Sequence, residues 1–407
     1  MNLISGHKEF AAPQDAAIWD IDPYAVETLT APEPYYAELR ARGAFAYIPR
    51  YSILACGGYE ATKEVFSDHE RFASSNGVGL HDLKLEDSWR APSIVLEVDP
   101  PDHAANRRVI MRALSPRAVA GLKERFRAAA DALVDQLIEK GSFDAVAECA
   151  ETFPTTVFPA AVGLKLNDRR KLIDYGSMVF NGYGPDNELR RAALAKSDKI
   201  IPWITRSCGR GNLRPDGLGA TFFEAADAGE ITEKEAELLV RSLLSAGVDT
   251  TVASIGNALW CLSRHPAEFE KLKADPSLTR PCFEEVLRYT SPVHSFCRTA
   301  TRDTEVAGVR IEEGSKILCV LGAANLDESR WEAPTRFNIE RRPTGHLAFG
   351  VGVHNCVGQN VARAELDAIL SSIAEKVSSI EPAGDPEWRP NNAMRFLDRL
   401  PITFRPR

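Results

Sequence analysis

Cys356 stands in the run Phe349-Gly350-Val351-Gly352-Val353-His354-Asn355-Cys356-Val357-Gly358, a glycine-rich loop leading into a helical pattern. Glycine tolerates positive φ and presents no side chain, so Gly350, Gly352 and Gly358 let the backbone turn sharply and approach a flat ligand. At the expected helix start, free N–H groups and the helix dipole lower a thiol pKa, which suggests a thiolate metal ligand. An ordinary buried cysteine is the plain alternative. Glu285 and Arg288, three apart, share a helix face as an ion pair, and His103 and Arg107, four apart, project from one face of an early helix. In Ala246-Gly247-Val248-Asp249-Thr250-Thr251 the glycine removes bulk, and a threonine bonded to a local carbonyl can open a helix groove. Ser242, Ser245 and Asp249 stand at i, i+3 and i+7, one stripe about 10 Å long from Ser242 to Asp249. Each has a plainer reading: solvated ion pairs, a small-residue packing seam, and serines bonded to their own i−4 carbonyls.

The elements that must position these groups are mainly helical. Helical patterns run over 35–42, 60–66, 102–114, 117–139, 167–181, 187–206, 232–263, 280–290 and 356–377. Aromatic and β-branched residues over 44–56 predict a hairpin, and 295–300, 304–306 and 317–321 are strand-like. The Gly, Pro and Ser residues of 73–101 predict a long covering loop, and residues 1–22 an irregular segment. Without repeats or low-complexity linkers, 1–407 is expected to form one unit. With 407 residues a large core is available, and a net charge of −8 argues against nucleic acid as the main partner. Eight cysteines without a CxxC pair argue against a zinc site or disulfide scaffold. The first residues lack the signature of a signal peptide, and no stretch is expected to span a bilayer, so a soluble cytoplasmic protein is expected.

Phe349, Gly350, Gly352, His354, Cys356 and Gly358 match the haem-binding signature of the cytochrome P450 family, which the chain resembles from about residue 23 to 401. The resemblance implies a mainly α fold with small sheets and a long central helix over haem b (iron protoporphyrin IX). Cys356 is then the proximal thiolate, with Phe349 packed near its sulfur, and a thiolate pushes electron density toward O–O cleavage. His103, Arg107, Arg298 and His354 are implied to hold the propionates. Asp249 and Thr250 are implied in oxygen activation and proton delivery. Glu285 and Arg288 resemble a structural pair that anchors the meander before the cysteine loop, near Asn338, Arg341 and Arg342.

The chain is similar in particular to bacterial members that demethylate para-methoxybenzoate. By that similarity Arg90, Ser93, Ser242 and Ser245 bind a carboxylate, Leu96, Phe180, Val293 and Phe296 flank the ring, and Ala246 lies beside the reacting end. Tyr183 falls where closer relatives carry Phe, and its hydroxyl reaches water or a ring substituent or points outward. The implied activity is oxidation of the para substituent of small benzoic acids such as 4-methoxybenzoate, by O-demethylation or hydroxylation. The implied partners are O2, a [2Fe–2S] ferredoxin and a ferredoxin reductase using NAD(P)H. The rival readings are oxidation of another compact aromatic or terpenoid, and a haem-based sensor.

Overall fold

A computed structural model describes residues 6–85, 88–166 and 168–407. It is mostly helical with small sheets, as expected, and the central helix organises it. Thr232 and Glu235 form a reciprocal capping box that starts the segment Glu233–Gly247. The helix is interrupted at Val248, whose backbone stays in the right-handed helical region (φ −89°, ψ −67°), and resumes as Asp249–Arg264, where nearly every side chain is buried. Such all-round burial is what a largely apolar helix requires. Against the expectation that no stretch is long and apolar enough to span a bilayer, Glu233–Arg264 meets that test by length and composition. Its apolar window is 61% buried inside the fold, so core packing accounts for the composition.

The helix Gln359–Lys376 packs on Lys123–Lys140 and on Thr279–Thr290. The expected hairpin forms from Ala46–Ile48 and Ile53–Cys56. It extends into a six-stranded sheet whose Lys316–Cys319 and Phe296–Ala300 strands pair antiparallel, with Arg298 opposite Ile317. This pairing fixes the face on which Arg298 stands.

Several expectations are corrected. Within 1–22, Ala17–Ile18 pairs in parallel with Ala46 and Tyr47, and Phe10 is buried, so the segment is not wholly irregular; residues 1–5 lie outside the described residues. The pattern over 117–139 is two helices, Pro116–Ala120 and Lys123–Lys140, and that over 187–206 is Glu188–Leu194 and Ser197–Ser207. The last helix opens at Gln359 instead of Cys356. Thr152–Val162 is an unexpected helix despite Pro159 and five β-branched residues in TFPTTVFPAAV; its buried side chains override weak propensity. The C-terminal strands Val377–Pro382 and Pro401–Pro406 are further unexpected elements: they pair with each other, and Pro401–Pro406 also pairs with Ser142–Asp144, a contact far apart in sequence.

Candidate functional site

The cysteine loop is held by its backbone. Gly350 and Gly352 take φ of 67° and 75°, and a Cβ on Gly352 would meet the Ser67 backbone at 2.8 Å. Gly358 has an ordinary φ of −82°, so only two of the three glycines supply the turn. The Cys356 N–H donates to the Phe349 carbonyl at 2.7 Å, closing the loop and turning Cys356 into a cavity of about 240 Å³. Burial pushes the Cys356 thiol up, opposed by the N–H groups of Gly358 and Gln359 and by Arg107 and Arg363. The net depression expected from a helix start is not found, since the helix begins later and burial dominates. A bound metal cation deprotonates such a thiol outright.

Arg107, Arg298, Phe349 and His354 line the same cavity. Arg298 is buried over the Phe66 ring, 3.9 Å from its centroid, and its Nη1 donates to the Cys297 carbonyl while Nη2 has no partner. His103 Nε2 and His354 Nδ1 are likewise buried and unpartnered, with the two rings 4.7 Å apart. His354 Nε2 lies 3.0 Å from Asp99. Although burial acts upward, His354 and the N–H groups of Ser74 and Ser75 hold the Asp99 carboxyl well below its usual range. Arg107 bonds the backbone and side-chain oxygens of Asn355 at 2.6 Å. Buried donors without acceptors cost free energy unless a ligand supplies them. Arg298 and His354 present such atoms on the cavity wall and fit the carboxylates of a haem, while His103 packs against His354 and is not itself on the wall.

Glu285 and Arg288 are both fully buried, so the surface ion-pair alternative is excluded. Arg288 donates to both Glu285 oxygens at 2.7 and 2.8 Å and to the carbonyls of Asn325 and Pro334. The Asn338 N–H and Arg341 Nε converge on Glu285 Oε1, while Arg342 does not join.

On the central helix, Arg241, Ser242, Ser245, Ala246, Thr250 and Thr251 line the cavity, whereas Asp249 does not. The single stripe expected through Ser242, Ser245 and Asp249 therefore fails at the Val248 break. Asp249 turns to Gly176, where a Cβ would fall inside its carboxyl. Burial pushes the Asp249 pKa up to about 8, so the carboxyl is mostly protonated at neutral pH; its Oδ1 has no partner. Glu365, pushed by burial to about 8, lies beside Thr251; no sequence signal marks this second acid. Thr250 Oγ1 donates to the Ala246 carbonyl at 2.6 Å. Gly176→Ala is expected to cost about 1–3 kcal/mol by overpacking against Asp249. Denaturant unfolding checks it, and wild-type stability would mean that the carboxyl has another position.

All ten residues expected around the substrate line this cavity: Arg90, Ser93, Leu96, Phe180, Tyr183, Ser242, Ser245, Ala246, Val293 and Phe296. Tyr183 points inward, edge-on to Phe180 and Phe296, with its hydroxyl accepting from Arg90 Nη2 at 3.2 Å. The serines are not equivalent. Ser242 and Ser245 donate to the helix carbonyls of Leu238 and Ser242, the plainer reading of their stripe. Ser93 Oγ instead accepts from the Leu96 N–H at 3.2 Å, which leaves its own proton free. Arg241, a cavity residue outside the sequence expectations, donates to the carbonyls of Ala91 and Pro92. Among the described residues it has no acidic partner within ion-pair distance.

A lone cysteine turned into an apolar cavity, with unpartnered basic groups beside it and a broken helix lining it, defines a haem-thiolate site. The family model described as Cytochrome P450 matches residues 212–399. The chain is 47% identical over 387 residues to cytochrome P450 CYP199A2 of Rhodopseudomonas palustris, covering 95% of this chain and 94% of that one. It is 30% identical to Cytochrome P450-terp of a Pseudomonas species, covering 75% of each. Cytochrome P450 CYP109Q5 from Chondromyces apiculatus superposes with a TM-score of 0.81 at 32% identity, covering 95% of this chain and 99% of that one. Cytochrome P450 CREJ in complex with (4-ethylphenyl) dihydrogen phosphate superposes with a TM-score of 0.83 at 25% identity, over 94% and 98%. This chain belongs to the cytochrome P450 family, and is a haem-thiolate monooxygenase by class.

Proposed function

We propose that this monooxygenase oxidises the para substituent of small benzoic acids such as 4-methoxybenzoate, with residues 1–407 acting as one cytoplasmic catalytic unit. The observation that carries this reading is the polar end of the cavity. There Ser93 keeps a free hydroxyl proton and Arg241 carries a cation without an acidic partner among the described residues. Phe180, Tyr183 and Phe296 form an aromatic wall in the same cavity, edge-on to one another through Tyr183. Ser242 and Thr250 are about 12 Å apart by helical rise, enough for one benzoate with a short substituent. The (4-ethylphenyl) dihydrogen phosphate bound by the structural relative has the same plan, an anion opposite a short para group.

Cys356 would hold the haem iron, and His103, Arg107, Arg298 and His354 would receive the propionates. Haem supplies the activation of O2 for insertion of one oxygen atom. The chain's own residues orient and protonate. Fixing the carboxylate at Ser93 and Arg241 aims the para substituent at the opposite end, an orientation effect. Thr250 lines the cavity beside the helix break and is placed to orient a proton donor; the protonated Asp249 carboxyl, turned to Gly176, would have to swing toward the cavity to deliver its proton. A methoxy group hydroxylated at carbon gives a hemiacetal, which loses formaldehyde to leave the phenol. We further propose that electrons come from NAD(P)H through a ferredoxin reductase and a [2Fe–2S] ferredoxin.

Titrating the ferric enzyme with 4-methoxybenzoate and with its methyl ester is expected to give a spin-state shift at least about tenfold more sensitive to the acid. Equal responses reject the carboxylate anchor. One observation favours a second reading, oxidation of another compact aromatic or terpenoid: Ser242 and Ser245 spend their protons on the helix, and Glu97 neutralises Arg90. A larger response to a neutral ligand of the same size would select it.

A further inference from the structure

We infer that Glu97 is a specificity-determining residue: as the resident counter-ion of Arg90, it limits how strongly the cavity prefers an anionic ligand over its neutral isostere. This rests on the benzoate reading. The Arg90 and Glu97 side chains are only 7% and 3% exposed, and their closest contact is 2.9 Å. Arg90 Nη2 also donates to the other Glu97 oxygen at 3.1 Å and to the Tyr183 hydroxyl, and Nη1 donates to the Ala91 carbonyl. Nε alone is buried without a partner.

Arg90 and Tyr183 line both the main cavity and a crevice of about 40 Å³, whereas Glu97 lines only the crevice. The guanidinium is thus a wall, with the ligand space on one side and its carboxylate partner behind it. Glu97 also receives the Ser93 N–H at 2.7 Å and returns its own N–H to the Ser93 carbonyl at 2.9 Å, so it positions the serine with the free proton. A carboxylate that enters beside Arg90 completes a negative, positive, negative row inside the protein. Repulsion between the outer charges offsets much of the attraction, since little water screens them. Arg90 then contributes chiefly through Nε, and the preference for an acid comes from Arg241 and Ser93.

The test is Glu97→Gln, which removes the charge and keeps an acceptor for the Ser93 N–H. Ferric spin-state titrations of the holoenzyme with 4-methoxybenzoate and its methyl ester give the Kd ratio. The ratio in favour of the acid is expected to rise about tenfold in the variant, with ester affinity unchanged. Glu97→Asp, which keeps the charge, is expected to stay near the wild-type ratio. An unchanged ratio in Glu97→Gln overturns the inference, as does a parallel change for both ligands in both variants, the mark of a packing role. If wild-type enzyme responds equally to acid and ester, the benzoate reading fails and this inference with it; acid preference with an unchanged variant ratio defeats the inference alone.

Discussion

Cys356→Ser is expected to abolish the red-shifted Soret band of the ferrous carbon monoxide complex and to lower turnover at least about a thousandfold, equivalent to about 4 kcal/mol of barrier. The substitution changes little else. The backbone bond from Cys356 to Phe349 and the positive φ values of Gly350 and Gly352 hold the loop independently of the side chain. A serine oxygen would meet the N–H groups of Gly358 and Gln359 as the sulfur does. What disappears is the soft, electron-rich ligand, since a serine hydroxyl is far harder to deprotonate than a thiol. The far-ultraviolet spectrum is expected to match wild type, so a retained band or retained turnover would remove Cys356 from the iron.

Glu285→Ala is expected to destabilise the fold by about 3–5 kcal/mol, the cost of leaving a buried charge without its partner. Arg288 is fully buried and donates to both Glu285 oxygens. The alanine leaves that guanidinium with only the carbonyls of Asn325 and Pro334, and strips Asn338 N–H and Arg341 Nε of their common acceptor. Those donors lie in the segment leading to the cysteine loop, so weaker haem retention is expected with the lower stability. Urea unfolding with haem release followed at the Soret band reads both. A loss under about 1 kcal/mol would show that the network is worth no more than a surface pair.

The cysteine loop was legible in the sequence because its chemistry is local: glycines, an aromatic residue, a histidine and a thiol lie within ten positions. The long helix was legible for a related reason, since its periodicity is local, and 295–300 was legible as a short strand-like run, observed as Phe296–Ala300. The sequence, with the resemblance its motif carries, therefore determined the class of chemistry and most of the residues that share a cavity, but not Arg241. Only the tertiary structure decided which of them are free to act. Beyond the interruption at Val248, Asp249 points to Gly176 and not into the cavity with the serines, a direction that spacing along the helix does not contain. Glu97 neutralised Arg90, while Arg241 was left as a cation with no acidic partner among the described residues. Ion pairing depends on distances of a few ångströms between segments far apart in sequence, and no spacing rule contains them.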